Sequence, residues 1–466
     1  MAGGIIQLLA NGAESLYLVG NPEFSYFKLV IKRHTNFSME SIRIPFTTKP
    51  VLNYDSSTQY TCRIGRNADL LKEIYIGFEL PDIYSDGELR FQWIEKLAQY
   101  MILKYSIRID SQVIDEGYGE WMDIWNELTL PAGKKAAYDK MTGNVDDYTH
   151  PRASANIVIV DNQEFEYAYY PAGEPGKPSI RRRRFYVPLP TWFSRSPALC
   201  LPLIALQYQQ IDIVVEFRPL NQLYQVFDKS EGRYVSPMRY MGAHAGEDNE
   251  RDVRFNQFLG STGLPNTLDL DAYMEVNYIF LGDDERKLVA LSSTDYLIER
   301  VARVEYNGLI ANHILDMKLS HPIKEMIWVT RRSDAALYNE WTNLTNTIPS
   351  YSGARILKTA KFTINGLDRF DDKDAAYFNL IQPYQHHTNS PREGVYVYSY
   401  ALYPERSNPS GHMNASMISN LQMVLTMEPR ILEANKPEYT YELVMYALHQ
   451  NIFSLMSGIG SIKFSG

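Results

Sequence analysis

Hydrophobic and polar positions alternate with a period of two across residues 211–217, IDIVVEF, putting Ile211, Ile213, Val215 and Phe217 on one face and Asp212 and Glu216 on the other. The spacing predicts a half-buried strand. Residues 421–427, LQMVLTM, repeat it, with Leu421, Met423, Leu425 and Met427 on one face and Gln422 and Thr426 on the other. Both strands follow the same lead-in, an aromatic strand (185–189; 395–400) and then a Ser/Pro loop (194–197; 407–411). Parts that recur in the same order predict a duplicated β domain.

Further matches run along the chain in register. In LLKEIYIGFELP, Ile74, Ile76 and Phe78 alternate, and HPIKEMIWVTR answers with Met326 and Trp328 after the shared pair Lys72-Glu73 and Lys324-Glu325. SIRIDSQVID is matched by FTINGLDRF, where Ile107 and Ile109 answer Phe362 and Ile364. The turn Asp110-Ser111 answers Asn365-Gly366, and Asn-Gly is a strong hairpin signal because both residues tolerate positive φ. MEVNYIFLGDDERKLVAL predicts a strand and then a short helix, and YELVMYALHQNIFSLMSG is expected to have the same shape.

These matches divide the chain into an arm at residues 1–25, a first sandwich at 26–282, a linking helix at 283–294 and a second sandwich with a C-terminal tail at 295–466. Gly3, Gly4, Gly12 and Gly20 are expected to keep the arm from forming helix, and Asp283 and Asp284 suit the positive end of the linking helix. The first copy carries two long excursions, about 131–182 and 219–271, rich in Gly, Pro, Tyr and charge. Loops of that length are expected to be exposed towers or partner-contacting surface.

Composition sharpens the fold class. The 466 residues include 34 Tyr, 24 Pro and 27 Gly, the mix of many short strands joined by turns, and 45% apolar content is enough for a sizeable core. The expected class is all-β, with short helices and long surface loops. A formal charge of −9 argues against a large nucleic-acid surface. With only Cys62 and Cys200 there is no disulfide framework or cysteine-rich zinc site, and Cys200, in an apolar run, reads as a buried thiol. The N-terminus lacks a basic leader, and the apolar run PALCLPLIALQY is too short to cross a bilayer, so a soluble, cytosolic product is expected.

Several stretches carry a specific likeness: LYLVGNPEFSYFKLVIKRHTNFSMESI, RRFYVPLPTWFSRSPALCLPLIALQY, YIFLGDDER with YLIERV, YFNLIQPYQ with GVYVYSYALYPERSNPSGHMNAS, and MSGIGSIKF. Together they resemble the major capsid proteins of nucleocytoplasmic large DNA viruses, collinearly over nearly the whole chain. The resemblance implies a non-enzymatic all-β double jelly roll, two consecutive eight-stranded jelly rolls, without cofactors. It further implies that three copies close into a pseudo-hexagonal capsomer, which tiles an icosahedral shell around double-stranded DNA. The implied partners are other copies, minor capsid and penton proteins, and inner membrane-associated proteins, with no direct nucleic acid. The implied location is the virion, after synthesis in host cytoplasm. The two long insertions depart from the compact algal-virus members.

Other chemistries are weighed on their residues. Double jelly rolls also occur in bicupin metal enzymes, but His386 and His387 are adjacent, so on a strand they would face opposite sides and could not share an ion with Glu393. They are read as a polar turn. Gly458-Ile459-Gly460 lacks the third glycine and following helix of a phosphate loop and is read as a tail. Arg181 to Arg184 are expected to pair with the acidic residues Glu164, Glu166 and Glu174 or to clamp a neighbouring subunit. Asp371, Asp372 and Asp374 read as solvated turns, and Asn36, Asn343 and Asn414 as unused glycosylation sequons. Tyrosine richness leaves carbohydrate binding as an alternative, although sheet pairing accounts for it better.

Overall fold

The computed structural model describes residues 3–85, 90–149, 157–160, 163–166, 178–245, 252–260, 264–350, 353–432 and 438–464. Sixteen of its strands build two sandwiches. The first eight are β1 (Phe37–Pro45), β2 (Thr58–Ile64), β3 (Leu70–Leu80), β4 (Ile102–Ile109), β5 (Gln112–Tyr118), β6 (Arg183–Pro188), β7 (Ile211–Phe217) and β8 (Asp271–Leu281). The second eight are β9 (Thr294–Leu309), β10 (Asn312–Asp316), β11 (Pro322–Arg332), β12 (Leu357–Ile364), β13 (Leu367–Asp368), β14 (Val395–Ser399), β15 (Leu421–Met427) and β16 (Tyr441–Met456).

The first sandwich has sheets β1-β8-β3-β6 and β2-β7-β4-β5, and the second has β9-β16-β11-β14 and β10-β15-β12-β13. Adding eight to each strand of the first pair of sheets gives the second. Even the two-residue strands Leu201–Pro202 and Met413–Asn414 correspond, pairing with β3 and β11. The molecule is a double jelly roll.

The alternation in the sequence is the alternation of the sheets. Ile213 of β7 sits opposite Cys62 and Ile107, and Met423 of β15 sits opposite Leu315 and Phe362. The inward-facing residues of β7 and β15 are buried as expected, in one core around Ile76, Phe78, Phe185 and Ile213 and another around Trp328, Phe362, Met423 and Met445. The first core also receives Ile298, Phe453, Leu455 and Ile462 from the second half of the chain. Phe453 lies 5.6 Å from the ring of Trp192.

Four expectations are corrected. Residues 1–37 form a unit of their own containing helices Gly3–Leu9 and Ala13–Val19. The glycines bound these helices rather than abolish them: Gly12 precedes the second, and the Gly20 N–H closes it on the Leu16 carbonyl. The first strand starts at Phe37, later than expected.

The described part of the 219–271 excursion is packed structure rather than an exposed tower. Its strand Tyr224–Asp228 pairs with Phe91–Trp93 and Arg233–Val235, Tyr224 stacks on Phe91 at 4.8 Å, and Phe255 and Phe258 are buried beside them. That much aromatic area is not left in water. The described part of 131–182 holds a helix, Ala132–Thr142, exposed along most of its length, and a hairpin of Ile157–Val160 with Gln163–Glu166.

Finally, β16 is not followed by a helix as β8 is by Asp283–Leu291. It turns through Ser457 and Gly458, both at positive φ, into the strand Ile459–Ile462.

Candidate functional site

The two sandwiches meet on a helix that the period-two pattern conceals. In Gly119–Thr129, GEWMDIWNELT, Trp121, Ile124, Trp125 and Leu128 recur at i, i+3, i+4 and i+7 and make one apolar stripe. Met122, on another side, packs into the first core. Its first residue is a glycine because the backbone there is crowded: a Cβ would lie 2.2 Å from the carbonyl oxygens of Gln99 and Ile102.

The stripe lies on the outer face of the sheet β9-β16-β11-β14, against Val301, Ile327, Val329, Val395, Val397 and Tyr446. The ring of Trp121 is 5.3 Å from that of Trp125 and 5.3 Å from Tyr446. Strands covered on both faces need apolar residues on both faces. Thus in β11 Met326 and Trp328 face the core while Ile327 and Val329 face the helix, whereas β15 keeps a simple alternation.

Ion pairs rim the stripe. The Glu120 carboxylate accepts from Arg331 at 3.1 Å and from the Tyr446 hydroxyl at 2.6 Å, and Arg331 also reaches Glu442 at 3.0 Å. Arg392, from the second sandwich, donates to Asp123 at 2.8 Å and also to Glu127. Asp123 also meets Lys96 at 2.6 Å. Burial alone would raise the Asp123 pKa, but Arg392 and Lys96 outweigh it and hold it at about 2. The neighbouring Asn389 N–H caps the Leu128 carbonyl at 3.0 Å.

A second charged chain runs beneath. The Arg195 guanidinium lies 4.7 Å over the Trp125 ring and pairs with Glu299, which also accepts from Lys324. Burial, together with Arg195, lowers the Lys324 pKa to about 8 against the opposing pull of Glu325. Glu325 in turn pairs at 3.0 Å with His387 Nε2, whose Nδ1 is 3.1 Å from Glu405. Burial would depress His387, but Glu325 and Glu405 prevail and raise its pKa to about 9.

The sequence-selected residues fall as follows. His386 and His387 end a helix, not a strand or a free turn. His387 is the buried centre of the Glu325–His387–Glu405 chain, and His386 contacts the Leu402 carbonyl at 3.2 Å. The expected polar turn is corrected: two carboxylates on neighbouring elements hold this ring charged out of water. Glu393 is elsewhere, accepting from the Gly353 N–H at 2.7 Å. Among the described residues no group of His, Cys, Asp or Glu side chains is arranged to hold a metal ion.

Arg184 pairs with Glu79 and Asp271, each at 2.8 Å, while Arg182 N–H donates to Asp82 at 2.7 Å. The side chains of Glu164, Glu166 and Glu174 lie outside the described residues. Gly458 and Gly460 belong to the packed C-terminal hairpin, and the Gly460 N–H donates to Gln209 Oε1 at 2.6 Å. Asp374 accepts from the Ala376 N–H at 2.8 Å and so starts a helix rather than standing in a free turn. Asn343 is buried, and both Cys62 and Cys200 are buried free thiols.

The arrangement holds its charges in ion pairs. Its chemistry is adhesion between sheet and helix, with buried ion pairs fixing the register.

Comparison with known proteins gives the same picture. Residues 25–282 match the family described as major capsid protein N-terminus, and residues 285–461 match that described as large eukaryotic DNA virus major capsid protein. The chain is 30% identical to the major capsid protein of Phaeocystis pouchetii virus, covering 100% of both chains, and 31% identical to that of Pyramimonas orientalis virus, again covering 100% of both. The quasi-atomic structure of the PBCV-1 virus capsid superposes with a TM-score of 0.69 at 25% identity, covering 95% of this chain and 100% of that one. The Faustovirus major capsid protein shares the fold, with a TM-score of 0.66 at 12% identity, over 96% of this chain and 94% of that one.

Proposed function

The chain belongs to the major capsid protein family of large eukaryotic DNA viruses, and from that premise we propose that three copies close into a pseudo-hexagonal capsomer whose lateral packing builds an icosahedral shell. The protein is a structural component of the virion capsid and not an enzyme. The observation that carries the finer reading is the strand-for-strand repetition of one sandwich within one chain. Doubling gives each subunit two near-equivalent blocks, so a ring of three presents six similar edges to its neighbours. No bond needs to be made or broken for such a shell to form.

In this reading residues 38–282 are the first block, 283–294 the link and 295–466 the second, while the arm extends to residue 37 rather than 25. The arm exposes Leu8, Leu9, Tyr17, Leu18, Phe27 and Ile31, apolar side chains suited to minor proteins or membrane-associated proteins beneath a shell.

Light scattering on the purified chain tests the capsomer directly. A mass near three times 53.7 kDa is expected. A monomer at every concentration would overturn the reading.

A further inference from the structure

The helical stretch formed by Tyr377–Ile381 and Gln382–His386 occupies the same place in the second sandwich that Gly119–Thr129 occupies in the first, between the fifth and sixth strands. The correspondence extends to side chains. Phe378 enters the second core as Met122 enters the first. Tyr377, Leu380, Ile381 and Tyr384 then recur at the spacing of Trp121, Ile124, Trp125 and Leu128, the turn Tyr377–Ile381 being π-helical and Tyr377 half-buried against Phe370 and Phe378 of its own sandwich. The environments differ. Ile124 and Leu128 are 0% exposed under the second sheet, whereas Leu380 is 54% exposed, Ile381 46% and Tyr384 84%.

The surface this second stripe would need is also present, and among the described residues no equivalent helix covers it. In the seam, Val329 of β11 is flanked by Val395 and Val444, and Ile327 by Val397 and Tyr446. At the matching register of the first sandwich, Gly77 of β3 is flanked by Tyr186 and Tyr273, and Tyr75 by Pro188 and Glu275. Gly77 lets the Tyr273 ring lie flat on the sheet, since a Cβ there would be 2.8 Å from it. The Tyr273 hydroxyl meets that of Tyr186 at 3.2 Å, and Arg43 stacks 4.6 Å over its ring. The result is an aromatic outer face with half-buried Tyr75 and Tyr186, in place of the valine face that is fully buried in the seam.

One chain therefore holds both halves of a contact, a stripe without a sheet and a sheet without a stripe. We propose that the stripe Tyr377, Leu380, Ile381 and Tyr384 of one copy docks on the tyrosine face around Gly77 of a second copy, repeating between copies the seam that joins the two sandwiches within each. The interface is head-to-tail, because donor and acceptor are different surfaces. Its closure as a ring of three rests on the reading given under Proposed function. The occupant is a second copy rather than a foreign protein because the chain already shows this helix position seated on this sheet position.

The test uses the full chain in solution. Leu380→Asp combined with Ile381→Asp should lower the mass by light scattering from about three times 53.7 kDa to 53.7 kDa, with an unchanged circular dichroism spectrum. Leu288→Asp, at a site 69% exposed on the linking helix, should leave the wild-type mass.

Because the Asp variant may lose its fold, a second measurement is independent of it. Trp121 touches Tyr446, so the matching pair between copies is Tyr377 and Glu275. A chain carrying Tyr377→Cys and Glu275→Cys should give oxidant-dependent, reductant-reversible multimers on a gel, while each single variant gives none; the native cysteines are buried. A trimer that neither loses mass on Leu380→Asp with Ile381→Asp nor cross-links at these positions overturns the inference and leaves the capsomer reading standing. A wild-type monomer overturns both.

Discussion

Asn365 grips Asn420 at both ends of its residue: its N–H donates to the Asn420 carbonyl at 2.8 Å, and its Oδ1 accepts the Asn420 N–H at 3.0 Å. In the first sandwich Asp110 does the same to Gln210, at 2.8 and 2.9 Å. Both gripping residues sit at positive φ, 50° for Asn365 and 53° for Asp110. The tip of each sandwich is thus tied by one short polar side chain that tolerates a left-handed backbone.

Replacing that side chain should separate its two contributions. Asn365→Ala loses the hydrogen bond and keeps the unfavourable φ, and is expected to cost about 1–3 kcal/mol. Asn365→Gly loses the bond but relieves the φ, and should cost less. Thermal unfolding of both variants checks the order; an alanine variant as stable as the glycine one would contradict it.

The inward faces set the stability of each sandwich. Ile213→Ala is expected to destabilise by about 2–5 kcal/mol through lost burial and an unfilled cavity. Ile213→Lys buries a charge with no partner and should leave no soluble trimer, whereas Asp212→Lys, on the outer face of the same strand, should be recovered normally. Yields on gel filtration decide between them.

At the seam, Trp125→Ala removes a ring that packs under the second sheet and beneath the Arg195 guanidinium, and should cost about 3–5 kcal/mol. Arg392→Ala strips the buried Asp123 of one of its two cationic partners and should cost about as much as breaking a buried pair, roughly 3–5 kcal/mol. Limited proteolysis should then cut between the sandwiches before either is degraded. Uniform loss of both sandwiches at once would contradict a separable seam.

The His387 chain gives stability a pH dependence with a definite sign. A histidine has an ordinary pKa of about 6.5, and Glu325 and Glu405 raise it to about 9 in the fold. A base whose pKa rises on folding stabilises fully below about pH 6.5 and loses that contribution as pH climbs through 9. Lys324, depressed to about 8, acts in the opposite sense in an overlapping range, so the informative quantity is a difference. The urea midpoint of wild type minus that of His387→Gln should shrink between pH 6.5 and 9.5; a constant difference would exclude the charged chain.

What the sequence made legible were the surfaces that obey one period at a time. β7 and β15 each have one wet face, so Ile213 and Met423 announce themselves. The helix carrying Trp121 and Trp125 is harder to see, because its 3.6-residue spacing lies between segments of period two and the face it covers shows only as apolar residues on the second side of β11, β14 and β16. His387 is hidden for a different reason. Adjacent histidines exclude each other as ligands only on a strand, and nothing in the local sequence marked the helix end or the distant Glu325 and Glu405. In residues 219–271 the length of the segment points to an exposed loop, while Tyr224, Phe255 and Phe258 supply the apolar area that folds it onto the first core.

The hairpin that places Phe453, Leu455 and Ile462 in the first core sets an order on biosynthesis. The half of the polypeptide that leaves the ribosome first lacks part of its interior until the half made last arrives, so the leading sandwich waits open for the trailing strand. Translation products arrested before residue 453 should be more protease-sensitive in the first sandwich than the full chain, because its interior is unfinished.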